Sequence, residues 1–304
     1  MYESYFGFER PPFNNVPDTA FFFGSSRHNE ALSQLLYAVE GRKGFAVLTG
    51  EVGAGKTTLT RALFRRLDPA TTSTAVITNS RLTGVQLLHT VAREYGLANL
   101  TPSRPALLEA INEFLVQQLS EDRNVVLLID EAQDLPLSTL EEVRLISNLE
   151  TEREKLIQII LVGQPELRES IDHPDLRQLR QRIAMRYHLK PLDRKETEDY
   201  IVHRLRVAGP TADVRFTDRG INTVFRYSRG VPRLINLCCD KALLVAFTED
   251  LRRVDSRVVM EGIREIEGPS FTFKAREEQE AQDDALGAKR KAFIRLPFLG
   301  GRYR

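Results

Sequence analysis

The sequence has few cysteines, no long apolar run and almost no net charge. Its only two cysteines, Cys238 and Cys239, are adjacent, so they cannot form a disulfide framework, and a reducing compartment is favoured. The longest apolar runs, such as 125–129, are far shorter than the ~18 residues that a membrane-spanning helix requires. No basic region followed by an apolar stretch marks a signal peptide. We expect a cytoplasmic location, or attachment at the periphery of the inner membrane.

Charge and length set further bounds. The chain has 43 Lys plus Arg against 42 Asp plus Glu, a net charge of +1, so its overall charge gives no reason to predict nucleic-acid or membrane binding. With 304 residues, 42% of them hydrophobic and 28% charged, the composition is typical of a globular protein of about two domains.

Residues 1–26 form an N-terminal segment rich in aromatic residues and proline. The prolines at 11, 12 and 17 prevent a single helix, and the segment is too apolar for a solvated tail. We therefore expect it to pack across the surface of the following domain. Its aromatic residues are Tyr2, Tyr5, Phe6, Phe8, Phe13, Phe21, Phe22 and Phe23.

From residue 27 to 192 the chain alternates helical patterns with short apolar runs. The runs at 44–50, 74–79, 124–130, 156–163 and 186–192 are nearly continuous, which is typical of strands in a parallel sheet covered on both faces. Helical patterns occur at 27–40, 55–67, 83–95, 104–120 and 138–152. This domain is predicted to be α/β, a three-layer α/β/α P-loop fold with a five-stranded parallel sheet.

Beyond Leu192 no strong strand pattern appears. Helical patterns at 194–208, 217–228, 231–248 and 255–266 predict a small all-helical domain over 193–268. Residues 269–304 are charged and aperiodic, and we expect a mostly disordered tail.

The strongest chemical signal is the octapeptide at 50–57, a full match to GxxxxGK[ST] between a strand and a helix. Glycines allow backbone N–H groups to surround phosphate oxygens at the positive end of the helix dipole. Lys56 would reach the β- and γ-phosphates of ATP, and the Thr57 hydroxyl would bind Mg²⁺. The predicted nucleotide-binding residues of this stretch are Gly50, Glu51, Val52, Gly53, Ala54, Gly55, Lys56, Thr57 and Thr58.

Two acids follow the apolar run 125–129 directly. Asp130 and Glu131 would lie at the carboxyl end of a buried strand, the edge at which a doubly wound sheet binds its ligand. Asp130 is predicted to hold the Mg²⁺ shell and to contribute to nucleotide binding. Glu131 is predicted to polarise the attacking water as the catalytic base.

Three weaker signals come later in the chain. Gln164 ends the next strand, where a polar side chain can hold water or the γ-phosphate. An arginine cluster, Arg177, Arg180 and Arg182, precedes the last strand. An arginine there would stabilise a transferring phosphoryl group in a neighbouring subunit. In the helical domain, Pro232 at a helix start places Arg233 in the first turn, from which it could reach the γ-phosphate.

These signals in this order resemble the AAA+ ATPases over residues 27–266. The resemblance implies Walker A, Walker B, sensor 1, a trans-acting arginine finger and sensor 2, and with them a homo-oligomeric ring. We expect ATP to bind between the α/β domain and the helical domain, with the aromatic N-terminal segment forming part of the adenine pocket. By position Arg182 resembles the finger, with Arg180 as the second candidate. Gln164 departs from the Asn or Thr common at sensor 1.

The N-terminal sequence is similar to that of the ExeA/GspA family of secretion-pathway ATPases. The resemblance is carried by the pattern MYxxxFGFxxxPF, a later H.EAL, GFxxLTGEVGxGKTT and LVGQPEL. It implies ATP hydrolysis in the assembly of envelope machinery for secretion, pilus or polysaccharide export, with an envelope or inner-membrane partner. The transmembrane and peptidoglycan-binding parts of some members do not occur in this sequence, which favours a soluble relative or one acting through a membrane partner.

Two alternatives remain open. One is a DNA-binding regulator of transposition, similar to the MuB/TniB group, although near-neutral charge makes nucleic acid the less favoured partner. The other is a nucleotide-switched scaffold with little turnover, against which Glu131 argues. A helicase interpretation of the sequence 130–133 is weak because no second motor domain follows.

Overall fold

The computed structural model describes residues 1–78, 81–98, 100–151, 154–209 and 212–274, so most of the predicted tail lies outside the described residues. The strands are β1 (Phe45–Gly50), β2 (Thr72–Ile77), β3 (Asn124–Ile129), β4 (Gln158–Gly163), β5 (Ile183–Leu189), β6 (Arg215–Phe216) and β7 (Arg253–Val254). The α-helices are α1 (Tyr2–Phe6), α2 (Ser26–Glu40), α3 (Lys56–Phe64), α4 (Gly84–Glu94), α5 (Arg104–Ser120), α6 (Leu137–Ile146), α7 (Glu166–Ile171), α8 (Arg177–Arg182), α9 (Arg194–Ala208), α10 (Asp218–Ser228), α11 (Pro232–Thr248) and α12 (Ser256–Glu267).

Strands β1 to β5 form the predicted five-stranded sheet, in the order β2-β3-β4-β1-β5. Every neighbouring pair is parallel. The last strand ends at Leu189 instead of 192. Pro191 has no N–H to continue the ladder, and the N–H of Leu192 instead donates to Gly230 O at 2.9 Å. The chain therefore leaves the sheet for the helical region at this point.

Helices cover both faces of the sheet, because successive side chains of a strand point to opposite faces. On β3, Val125, Leu127 and Ile129 pack in a cluster with α4 to α8. Val126 and Leu128, between them, pack in a second cluster with α2 and α3. This alternation confirms the three-layer α/β/α prediction.

The second region of the molecule, residues 192–267, is built mainly from α9 to α12. Its core includes Cys238 and Cys239, both fully buried on α11. The region is not entirely helical as predicted, because β6 and β7 pair in parallel through Arg215–Arg253 and Phe216–Val254. Strands of two residues are too short to show the alternation from which strands are predicted.

The N-terminal segment packs differently from its prediction. Five of its aromatic side chains lie in the core of the helical region and not on the α/β region: Tyr2, Phe6, Phe8, Phe13 and Phe21. Main-chain bonds hold the segment there, from Asp213 N to Phe6 O (3.1 Å) and from Glu9 N to Ala208 O (2.9 Å). Most of this segment thus belongs structurally with the helical region, while Phe22 packs against the cluster of α2 and α3.

Because of this arrangement, the chain crosses between the two regions twice. The first crossing precedes α2 and the second follows β5. Ser26 Oγ donates to Glu196 Oε1 at 2.8 Å, and the Arg27 guanidinium donates to the carbonyl of Pro191. The two crossings therefore run side by side. None of the helices in the described ranges combines the length and apolar character needed to cross a bilayer.

Candidate functional site

The glycine-rich loop between β1 and α3 has the backbone that its sequence predicts. Gly53 and Gly55 have φ angles of 79° and 99°, a region in which residues with a Cβ are strained. α3 begins at Lys56, so the positive end of the helix faces the loop. The Lys56 Nζ folds back and donates to Gly50 O (2.7 Å) and Glu51 O (3.1 Å). Burial lowers the pKa of Lys56, while Glu131 and Asp130 act in the opposite direction.

The two predicted metal-binding residues are brought together from helix α3 and from the end of strand β3. Thr57 Oγ1 donates to Asp130 Oδ2 at 3.3 Å, and the other carboxylate oxygen accepts from the backbone N–H of Glu131 at 3.0 Å. Asp130 is only 8% exposed, and burial raises its pKa. A hydroxyl and a carboxylate are hard oxygen donors of the kind that Mg²⁺ prefers.

A metal ion at Thr57 and Asp130 would have few protein ligands. Within the described ranges, no group of three or more His, Cys, Asp or Glu side chains is placed to hold a metal ion. A Mg²⁺ ion held by Thr57 and Asp130 would thus be completed by phosphate oxygens and water, the usual arrangement for this cation at phosphate sites.

Glu131 and Gln164 also meet at this edge of the sheet, through a residue that the sequence did not single out for the site. Gln133 Nε2 donates to Glu131 Oε2 at 2.8 Å, and Gln133 Oε1 accepts from the N–H of Gln164 at 3.0 Å. The Gln164 side chain lies 3.4 Å from the same Glu131 oxygen. Glu131 has a positive φ of 50°, a strained conformation of a kind that clusters at functional sites.

These residues border a cavity of about 380 Å³ between the α/β region and the helical region, a size typical of small-molecule sites. Of the predicted residues, its described wall contains Val52, Gly53, Gly55, Lys56, Thr57, Thr58, Glu131, Gln164 and Arg233. Gly50, Glu51, Ala54 and Asp130 are not among the residues that line it.

Arg233 reaches the site from α11. Its backbone N–H donates to Gly53 O at 3.2 Å. A Cβ on Gly53 would come within 2.4 Å of the Arg233 Cβ, so only glycine permits this approach. The helical region therefore contacts the loop directly at the position predicted for a sensor.

The opposite wall of the cavity is formed by residues 14–23 and by the helical region. Arg204, 6% exposed, fixes this wall by donating to the carbonyls of Pro12 (2.5 Å) and Asn14 (3.0 Å). Its remaining donor group binds Tyr200 OH at 2.9 Å. No motif in the sequence indicates the contacts with Pro12 and Asn14, since they join residues about 190 positions apart.

His28 is a second residue that motif reasoning did not assign to the site. It is 6% exposed, and its ring nitrogens lie 2.8 Å from Ser25 Oγ and 3.3 Å from Ala54 O. Burial lowers its pKa, so the ring is neutral near pH 7. The signal for it was the histidine of the H.EAL pattern, which here supports the back of the glycine-rich loop.

The arginine cluster lies away from the cavity. Arg182 immediately precedes β5, whose first residue pairs with the first residue of β1, whereas the glycine-rich loop follows the last residue of β1. Arg182 Nη1 donates to Ser147 O at 3.3 Å, and Arg180 is exposed, 3.9 Å from Asp172. Neither arginine reaches the cavity of its own chain, and a role in a neighbouring copy stays a prediction.

Comparison with known proteins agrees with this geometry. Residues 39–171 match a family model described as an AAA domain. General secretion pathway protein A of Aeromonas hydrophila is 42% identical over 255 residues, which cover 84% of this chain and 46% of that protein. The chain thus spans about half the length of this curated relative.

Solved structures show the same fold at low identity. The Aeropyrum pernix ORC2 protein, in ADPNP–ADP complexes, is 17% identical with a TM-score of 0.63 over 85% of this chain and 72% of that chain. The Thermotoga maritima RuvB Holliday junction branch migration motor is 20% identical, with a TM-score of 0.51 over 84% and 73%. At such identities the likeness carries the fold alone.

Proposed function

We propose that the chain is a Mg²⁺-dependent ATPase that works as an oligomer in the assembly of cell-envelope machinery, supported by the AAA-domain match over residues 39–171 and by the similarity to general secretion pathway protein A. The observation that carries the proposal is the single cavity into which the glycine-rich loop, Glu131, Gln164 and Arg233 all converge.

Binding of the triphosphate would rest on the loop and on Lys56. Backbone N–H groups of the loop and of the first turn of α3 would offer donors to phosphate oxygens. The Lys56 ammonium, now bound to two loop carbonyls, would exchange them for β- and γ-phosphate oxygens. Thr57 and Asp130 would hold Mg²⁺, which neutralises charge on the β- and γ-phosphates when bound.

Hydrolysis would use Glu131 as the base. Its carboxylate would accept a proton from the attacking water, whose oxygen bonds to the γ-phosphorus as the bond to the β–γ bridging oxygen breaks. Gln133 and Gln164 hold the carboxylate from one side and would keep it aimed at that water. Arg233 would contribute its charge at the γ-phosphate from the helical region.

The position of the arginines supports an oligomer. Because Arg182 and Arg180 lie at the opposite end of the sheet from their own cavity, they can stabilise a transferring phosphoryl group only in another subunit. We propose a homo-oligomeric ring in which Arg182 completes the neighbour's site. An inner-membrane or envelope protein is the proposed partner, supported by the similarity to general secretion pathway protein A.

Steady-state ATP hydrolysis against protein concentration tests this proposal, with and without double-stranded DNA, and with Lys56→Ala as the inactive control. A rate that rises faster than linearly with protein and ignores DNA supports the oligomeric envelope ATPase. Strong stimulation by DNA would contradict it in favour of a transposition-type regulator. A failure to turn over ATP at any concentration would contradict the ATPase activity itself.

A further inference from the structure

The end of the cavity away from the glycine-rich loop has its own hydrogen-bonding edge. The loop accounts for the phosphate end, so the base of a bound nucleotide must lie toward residues 14–23 and the helical region. Apolar side chains there, among them Val16, Phe21 and Leu192, can cover the faces of a ring. Asn15 and Asn236 line the same end, and they supply its amide groups.

A series of hydrogen bonds from Arg204 through Tyr200 to Asn236, here called the relay, orients these amides. The Arg204 guanidinium can only donate, so Tyr200 OH accepts from it at 2.9 Å. The tyrosine proton must then go to Asn236 Oδ1, also 2.9 Å away. This leaves the Asn236 NH₂ group facing Asn15, where it donates to Asn15 Oδ1 at 3.1 Å. Arg204, Tyr200 and Asn236 are each at least 94% buried, which keeps the relay out of competing water.

The relay decides which way the last amide points. Since Asn15 Oδ1 must accept from Asn236, the side chain cannot exchange its oxygen and nitrogen without placing two NH₂ groups face to face. Asn15 itself is exposed to the cavity. It therefore presents one remaining oxygen lone pair beside two N–H donors, in a fixed order.

A fixed acceptor–donor pair matches one edge of adenine. The adenine N6 amino group donates and N7 accepts, which is the pairing that asparagine makes with adenine in nucleic-acid complexes. A 6-oxopurine has a carbonyl in place of the amino group, so the Asn15 oxygen would face another acceptor. The phosphate loop gives no such selection, because it contacts only the part that all nucleoside triphosphates share.

We infer that Asn15, oriented by the Arg204–Tyr200–Asn236 relay, reads position 6 of the purine base and makes this site select adenine over 6-oxopurine nucleotides. The inference rests on the proposed nucleotide function and adds a specificity-determining residue to it. Asn236 acts as a positioning residue, since it reaches the base only through Asn15.

The test measures the dissociation constants of ATP and ITP for the full chain by calorimetry. ITP differs from ATP at position 6 and in the protonation of the adjacent N1. We expect the wild type to favour ATP by about tenfold or more, the discrimination of one good bidentate pair, and Asn15→Ala to bind the two nucleotides within about twofold. Asn222→Ala is the matched control, because Asn222 is an exposed asparagine of α10 that does not line the cavity; it should keep the preference.

The isosteric variant Asn236→Asp tests the relay. Aspartate cannot donate, so the Asn15 amide has to turn its NH₂ group toward residue 236 and its oxygen outward. The ATP preference should then fall at least as far as in Asn15→Ala, whereas a purely structural role of Asn236 would weaken both nucleotides equally.

The outcomes separate the two proposals. A wild type that binds ATP and ITP equally, or an Asn15→Ala variant that keeps the preference, overturns the inference and leaves the ATPase proposal standing. A wild type that binds neither nucleotide removes the ATPase proposal together with this inference.

Discussion

The two walls of the cavity are built in opposite ways. The phosphate wall comes from one continuous stretch, 50–58, and from residues that end adjacent strands of one sheet. The base wall is assembled from residues 14–23, Leu192, the helix α9 and the start of α11, which are far apart in the chain. The phosphate wall can be recognised from the spacing of residues in the sequence, whereas the base wall depends on packing between distant parts of the chain.

This difference explains why the two walls respond to different kinds of change. Substitutions on the phosphate wall remove a single chemical group from a backbone that stays in place. Substitutions on the base wall loosen a surface that aromatic burial holds together. The predictions below test that contrast, and the first concerns a residue that belongs to neither wall of its own cavity.

Arg182→Ala should have the largest effect. An arginine supplied by a neighbouring subunit raises turnover by about 10³- to 10⁵-fold. Neither wall of the cavity contains another group from the neighbour that could replace it. We expect turnover to fall by this range while the dissociation constant of ATP changes little. Arg177→Ala, an exposed arginine of the same helix, is the control. Retained turnover in Arg182→Ala at saturating protein would exclude that arginine as the finger.

Glu131→Gln should lower turnover by about 10² to 10⁴, the contribution of a general base. The variant should still bind ATP, because the loop and Lys56 are unchanged, and ATP should stay trapped in single-turnover experiments. Asp134→Asn changes an exposed acid three residues further on and should turn over normally. Normal hydrolysis by Glu131→Gln would mean that the base lies elsewhere.

Phe13→Ala should act on the base wall. Phe13 is 2% exposed and packs edge-to-face on Phe216, so its truncation should lower the free energy of unfolding by about 3–5 kcal/mol. Hydrogen exchange should show the loss in α9 to α12 more than in β1. Val16→Ala, at a residue 65% exposed, should stay within about 0.5 kcal/mol. Equal loss of protection from hydrogen exchange in α9 to α12 and in β1 would contradict the contrast between the two walls.

Gln133→Ala should give the smallest effect. It removes one hydrogen bond to a carboxylate, worth about 1.5–3 kcal/mol, and Gln164 still contacts Glu131 from the same side. We expect turnover to fall by about tenfold or somewhat more with ATP affinity unchanged. A loss of ATP affinity instead would place Gln133 among the binding residues.

The sequence was sufficient for the sheet, its covering helices and the phosphate wall. In these parts the information is local, because a strand shows its apolar run, and a glycine-rich loop shows its spacing between a strand and a helix. Gln133 was visible in the sequence but had no role until its contacts with Glu131 and the Gln164 backbone were known. The identity of a residue alone does not predict which side chain it will contact.

The base wall and the placement of the N-terminal segment were predicted only in outline. The aromatic residues of 1–24 predicted burial against the α/β domain and a share in the adenine pocket, but any apolar surface satisfies the same requirement, and in the structure the helical region provides most of it. Their burial in the helical region depends on contacts such as Arg204 with Pro12 and Asn14, which span the length of the α/β region. No periodicity in the sequence reports a contact at that separation.

The pair of adjacent chain crossings has a mechanical consequence. A domain attached by one flexible connection can rotate in any direction. Two connections side by side restrict it to rotation about the axis that joins them. Rotation about the line through residues 24–27 and 190–194 would open or close the cavity, whereas twisting across that line would have to stretch one of the two connections. A nucleotide that closed the cavity would thereby move the helical region along a single path, and the N-terminal residues packed in that region would move with it.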